Sequence, residues 1–159
     1  MGGLAPDALA GRRCLVTGGS RGIGAAIATE LAALGGDVVI AANDPDGLDE
    51  TSAAIREAGG SVTPVFADLM DPDSIAGLLA TAGDVQVLVN NAAPDQKIMP
   101  FLDGPDSLWE LMLGLIVWAP LRLVRVVGRS MAGAASSPVG AAASAPRSRP
   151  SSRRSVATS

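Results

Sequence analysis

The sequence contains no tyrosine and no histidine, one cysteine, one lysine, and only 3% aromatic residues among its 159. With Cys14 alone and no imidazole, almost nothing is available from which to build a zinc site or a disulfide, and no metal site is expected. Cys14 lies in an apolar run, so it reads as a small buried strand residue in a reducing compartment. No charged stretch followed by a sustained apolar core opens the chain, so no secretory signal is read and a cytoplasmic location is expected. The longest apolar run, Leu111 to Leu121, is bounded by Glu110 and Arg122. A bilayer span needs about 20 residues, so this run is expected to be a helix buried within protein, with no membrane partner.

Acid is missing from everything after Glu110. Residues 1–110 hold all 16 acidic residues against five cations, a balance of −11, while the remainder holds seven arginines and no acid, +7. Such asymmetry can mark a basic arm for nucleic acid or lipid headgroups. The five arginines from Arg129 onward are scattered without interleaved aromatics, which argues against a nucleic-acid partner.

What the chain does have is core material: 48% apolar residues and a mean hydropathy of +0.34, enough for one domain. Short runs rich in Val, Ile and Leu alternate with longer Ala-rich amphipathic segments. That is the pattern of βαβ units around a parallel sheet buried on both faces. Strands are expected at Arg13 to Thr17, Asp37 to Ala42, Ser61 to Ala67 and Val85 to Asn90. Helices are expected at about Ile23 to Leu34, Pro45 to Ala58 and Pro72 to Thr81. Gly35-Gly36 and Gly59-Gly60 terminate the first two, and Asp44-Pro45 and Asp71-Pro72 open the second and third in N-cap then N1 order. After a loop from Ala92 to Asp106, a fourth helix should begin near Ser107, where Ser107 and Glu110 have capping-box spacing. It should run toward Met131 with a kink at Pro120.

From Ala132 to Ser159 the chain is almost wholly Ala, Ser, Pro, Arg and Gly. Without an apolar period it cannot bury enough surface to offset the entropy of ordering, so residues 132–159 are expected to be a disordered tail after a domain spanning 1–131.

The segment Thr17 to Gly24, TGGSRGIG, follows one expected strand and opens the first expected helix. In that context Gly18 permits a sharp turn, Gly22 a close approach of backbone to a pyrophosphate, and Gly24 tight packing of the helix. Helix N-terminal amides face the anion, and Arg21 adds positive charge. The loop resembles the TGxxxGxG loop of the short-chain dehydrogenase/reductase family. Ala67-Asp68-Leu69, the run LVNNA from Leu88 to Ala92, and the spacing of Trp109, Arg125 and Met131 extend the resemblance over roughly residues 10 to 131.

The resemblance implies a Rossmann-like parallel sheet with helices on both faces, incomplete at about four strands, and a nicotinamide dinucleotide as partner. Gly18, Ser20, Arg21, Gly22, Ile23 and Gly24 would hold it through the glycine loop. Asn43 would lie at the end of the second strand, Asp68 and Leu69 near the adenine, and Asn90 and Ala92 at the end of the fourth strand. Where the family often places an acid for the ribose 2'-hydroxyl, this chain has Ala42. With Arg21 this leans toward NADP over NAD, although Asp44 stands close by.

The resemblance also implies a tyrosine, a lysine four residues later, a serine, and a helical asparagine for proton transfer, because hydride transfer leaves an alkoxide-like oxygen that a positioned acid must meet. The chain has no tyrosine, Lys97 lies in the wrong segment, Ile116 stands where the asparagine belongs, and Ser144 matches the serine by count alone. No catalytic residue is therefore assigned, and the chain reads as the cofactor-binding half of an oxidoreductase, inactive alone. A slip of the coding frame between about Gly128 and Ser136 would account for the change in composition; a nucleotide sequence whose other frames contain no strand, serine, tyrosine and lysine would exclude it. Two rival readings stand beside this one: a non-catalytic nucleotide-binding module that pairs with a full-length relative, and a basic arm on a scaffold. An unpaired sheet edge and an apolar fourth helix predict self-association.

Overall fold

The computed structural model describes residues 4–95 and 101–136. Four parallel strands, β1 (Arg13–Thr17), β2 (Asp37–Ala42), β3 (Ser61–Phe66) and β4 (Val87–Val89), form one sheet in the order β3-β2-β1-β4. The strands are connected through α1 (Gly22–Ala33), α2 (Pro45–Glu57) and α3 (Pro72–Ala82). Alternation along the central strands sorts the core. Cys14, Val16, Val38 and Ile40 pack with Ala28 and Ala32 of α1 and with Leu48 and Ile55 of α2. Leu15, Val39 and Ala41 face the opposite layer, with Ile75 and Leu78 of α3 and, from the last helix, Leu123 and Val127. Both faces of β1 and β2 are thus dry, as their continuous apolar runs require.

The helix boundaries follow the expected chemistry. Asp44 and Asp71 are N-caps, accepting from the amides of Gly47 and Asp73, with proline next in each case. Gly35 and Gly59 end α1 and α2 with φ of +82° and +83°. Pro64, which has no N–H to give, sits within β3, and the edge position of that strand tolerates it.

The first three strands and helices match the sequence reading to within one residue at each end, and the larger differences lie further along the chain. β4 has three residues rather than six, because among the described residues only β1 pairs with it. The last helical stretch opens at Asp106, as α4 (Asp106–Leu113), with Pro105 as its N-cap and no side-chain cap, so the Ser107–Glu110 box does not form. A π turn (Gly114–Trp118) and α5 (Ala119–Ser136) continue it. The irregularity therefore precedes Pro120 and is not a kink at it; widening the turn just before a proline relieves the ring's clash with the carbonyl four residues back. Ala132 to Ser136 are helical, which corrects the expectation of disorder from Ala132 onward. Residues 137–159, including Ser144, lie outside the described residues, as does Lys97.

The end of the sheet remote from the glycine loop is clamped by Arg13. Its guanidinium pairs with Asp37 and donates to the carbonyls of Ala82 (2.7 Å) and Thr81 (3.3 Å), while Asp37 accepts from Ser61. Arg13 and Asp37 together thereby tie β1, β2, β3 and the end of α3. Burial, and then the Asp37 carboxylate, push the Cys14 thiol upward in pKa, so it remains an unreactive core thiol.

The Ser52 hydroxyl on α2 is fully buried and has no hydrogen-bond partner among the described residues. An unsatisfied buried hydroxyl is worse than none, so Ser52→Ala is expected to leave stability unchanged or raise it by about 1 kcal/mol in urea unfolding.

Candidate functional site

The C-terminal ends of β1 and β2 and the segments after β3 and β4 open onto a single cleft of about 530 Å³. Its floor is the glycine loop. Gly18 and Gly19 donate to the Ala41 carbonyl at 2.7 and 3.3 Å, which anchors the start of the loop on β2. From the other side Asn91 Nδ2 donates to the carbonyls of Thr17 and Gly18, both at 3.1 Å. The buried Thr17 hydroxyl accepts from the amides of Asn91 (3.1 Å) and Ala92 (3.2 Å) and donates to the Val89 carbonyl. The loop is held between two strands by hydrogen bonds that take no part in the sheet ladder.

Each glycine named by the sequence has a geometric reason. Gly18 has φ +66°, and a Cβ there would stand 2.9 Å from the Ala92 Cα. A Cβ on Gly24 would fall inside contact with the Gly18 carbonyl oxygen and 2.5 Å from Asn91 Nδ2. Gly22 has φ +56°, yet a Cβ would meet nothing within 4 Å, so the space above it is open.

The start of α1 differs from those of α2 and α3. Arg21 occupies the N-cap position without a side-chain cap, and no acidic residue lies in the first turn. By contrast α2 and α3 are each capped by an aspartate and carry Asp46 or Asp73 in the first turn. The α1 terminus thus presents free amide donors and the positive end of its dipole with nothing anionic from its own helix to occupy them.

Of the residues named in advance, Gly18, Ser20, Arg21, Ile23, Gly24, Asn43, Asp68, Leu69 and Ala92 line the cleft. Gly22 and Asn90 do not; Asn90 is exposed beside it, and Asn91 holds the loop. Asp68 is partly committed to local structure, accepting from the Met70 amide at 2.8 Å. Asp44 lines the cleft while capping α2 at 3.3 Å, so the carboxylate nearest Asn43 is engaged with its own helix. The sequence reading missed Met70, Asp95, Leu111 and Leu115 as lining residues. Asp95 pairs with Arg21 across 3.2 Å at the mouth, both largely exposed, a contact between segments 74 residues apart that no local pattern signals.

The long helix is less buried than its apolar run implied. Ala119, Leu123 and Val127 enter the core, but Ile116, Val117, Trp118, Leu121 and Val124 are exposed. Asp106–Gly133 is long and apolar enough to cross a membrane, with 22% of its most apolar window buried.

A parallel sheet in the order 3-2-1-4, with a glycine loop joining its first strand to an uncapped helix, defines the first half of a Rossmann-type dinucleotide-binding fold. A model of the short chain dehydrogenase family matches residues 12–145, and the chain belongs to that family. The short chain dehydrogenase/reductase dpchG of Colletotrichum higginsianum is 38% identical over 127 residues, covering 77% of this chain and 47% of that protein. L-xylulose reductase of Mus musculus is 35% identical over 123 residues, covering 77% and 48%. The chain spans about half the length of these curated relatives. Among solved structures, a metagenomic short-chain oxidoreductase in complex with NADP superposes with a TM-score of 0.72 at 37% identity, over 79% of this chain and 59% of that one. L-sorbose reductase from Gluconobacter frateurii, complexed with NADPH and L-sorbose, gives a TM-score of 0.74 at 28% identity, over 82% and 51%.

Proposed function

We propose that this chain binds a nicotinamide dinucleotide in the cleft, with the diphosphate at the α1 N-terminus, and that it does so as a coenzyme-binding unit of an oxidoreductase. The observation that carries this reading is the uncapped start of α1 beside Gly22, whose Cβ direction is empty. The residues fit the group: backbone amides and Arg21 suit an anion, and the Ala92 and Leu69 side suits an apolar ring face. When bound, the coenzyme supplies the hydride chemistry. The protein's part is to hold and orient it, and with no tyrosine in the sequence no proton donor of the family's kind is present, so no carbonyl reduction by the chain alone is expected. Ile116 is half-exposed, filling neither the core nor a polar relay.

NADP is favoured over NAD, because Ala42 brings no acid to the end of β2, Asp44 is occupied with capping, and Arg21 is a cation at the cleft. In a fluorescence titration NADPH should bind about tenfold tighter than NADH, the scale of one charge-assisted hydrogen bond. Gly22→Val should abolish binding of both, since the branched side chain meets both a forbidden φ and the space the diphosphate requires. Absence of binding by the folded wild-type chain overturns the reading.

A second proposal concerns partners. The acids Asp106 and Glu110 and the arginines Arg125 and Arg129 are exposed and lie equidistant in sequence from the Val117–Trp118 midpoint. Antiparallel pairing of two copies through this helix covers the exposed Val117, Leu121 and Val124 and sets each acid against an arginine of the other copy. Pairing with a full-length relative uses the same surface and is the alternative, distinguished by stable co-purification. We propose separately a cytoplasmic, reducing location and a slip of the coding frame between about Gly128 and Ser136.

A further inference from the structure

We propose that Thr51, on α2 and outside the cleft, is a positioning residue for the diphosphate loop. Its hydroxyl is buried and donates to the Ser20 carbonyl at 2.9 Å, across 31 residues of chain. One turn earlier on the same helix, Gly47 lets the α2 backbone seat directly on the loop: an added Cβ would lie 2.9 Å from the Ser20 carbonyl oxygen and 3.0 Å from the Ser20 Cβ. Asp44, capping the Gly47 amide, fixes that turn in place. Ser20 is therefore gripped by α2 through backbone contact and a hydrogen bond, while Thr51 itself is not among the residues that line the cleft.

The consequence follows from peptide geometry. The peptide between Ser20 and Arg21 turns about ψ of Ser20 and φ of Arg21, and Arg21 lies in the broad extended region with φ −161° and ψ 171°, where an untied peptide can swing without a steric clash. In a trans peptide the carbonyl and the N–H point in opposite directions. With the Ser20 oxygen tied to α2, the Arg21 amide points away from α2 as a donor. Released, the peptide can swing so that its amide no longer points at an anionic diphosphate and its carbonyl oxygen turns partly toward it, which weakens the attraction. The Thr51 hydroxyl thereby holds the amide end of that peptide dipole toward the bound coenzyme.

This inference rests on the dinucleotide reading, and the test separates their failures. The full chain is titrated with NADPH and with adenosine 2'-phosphate, which lacks the diphosphate, in wild type, Thr51→Val and Thr51→Ser. Thr51→Val should weaken NADPH about tenfold and leave adenosine 2'-phosphate unchanged. Thr51→Ser, which keeps the donor, should restore NADPH to within about twofold of wild type. Thr51→Ala carries the same comparison should the valine fail to fold. Equal NADPH affinity in wild type and the donor-less variant overturns the inference while leaving the dinucleotide reading intact. Parallel loss of both ligands also overturns it, by showing general collapse of the site. A wild type that binds neither ligand defeats the parent reading instead.

Discussion

Gly24→Ala is expected to destabilise the chain by more than about 3 kcal/mol and to eliminate coenzyme binding, although it adds a single methyl group. Its Cβ would overlap the Gly18 carbonyl oxygen and crowd Asn91 Nδ2, the atom that bonds both Thr17 and Gly18. The obstacle is backbone on one side and the loop's own restraint on the other, so no rotamer change relieves it. Moving Gly18 pulls its amide from the Ala41 carbonyl, and moving Asn91 releases the end of β4 from Thr17. Gly77→Ala on α3 is the control. A Cβ there meets nothing within 4 Å, so the better helix former should stabilise by about 0.5–1 kcal/mol. Urea unfolding of the two variants, with NADPH titration of each, checks both signs; a Gly24→Ala chain as stable as wild type would mean the loop packs differently.

The contrast between those glycines marks what was legible in the sequence. Strand and helix positions and the N-caps at Asp44 and Asp71 follow from local pattern, whereas the strand order comes with the family resemblance that the glycine loop carries. The turns at Gly35 and Gly59 were equally readable, because a positive φ at a helix end has a residue signature. Non-local packing was not. That Asn91 rather than Asn90 hooks the glycine loop depends on which side of β4 each residue faces, and β4 is too short for its alternation to declare that. Thr51 and Gly47 look like ordinary α2 residues until Ser20 is seen beneath them. The π turn ahead of Pro120 begins at Gly114, where the missing Cβ lets the Met70 side chain, distant in sequence, pack directly on the helix. At Ser107 a capping-box spacing was present without its structure, since Asp106 had already entered the helix.

Arg125→Glu is expected to weaken self-association at least tenfold, and Leu121→Asp to abolish it. In the antiparallel pair the first change replaces two attractive Glu110–Arg125 contacts with two like-charge contacts, and the second places an unpaired charge within the covered apolar stripe. Each exposed ion pair alone contributes only a few tenths of a kcal/mol, up to about 1. The apolar side chains, at about 1.5–3 kcal/mol each when fully buried, supply the affinity, and the charges set direction and register. Combining Glu110→Arg with Arg125→Glu regenerates the pairs with signs exchanged and should recover most of the association lost in either single variant. A parallel pair, or a partner that contacts the stripe without this symmetry, gives no such recovery. Sedimentation velocity at micromolar concentration reads the result directly, and vesicle flotation of the wild-type chain tests the competing lipid surface. A compact wild-type monomer, or a double variant no better than the singles, removes the paired-helix assignment while leaving the coenzyme cleft untouched, because Ala119, Leu123 and Val127 dock the helix on the sheet from its opposite side.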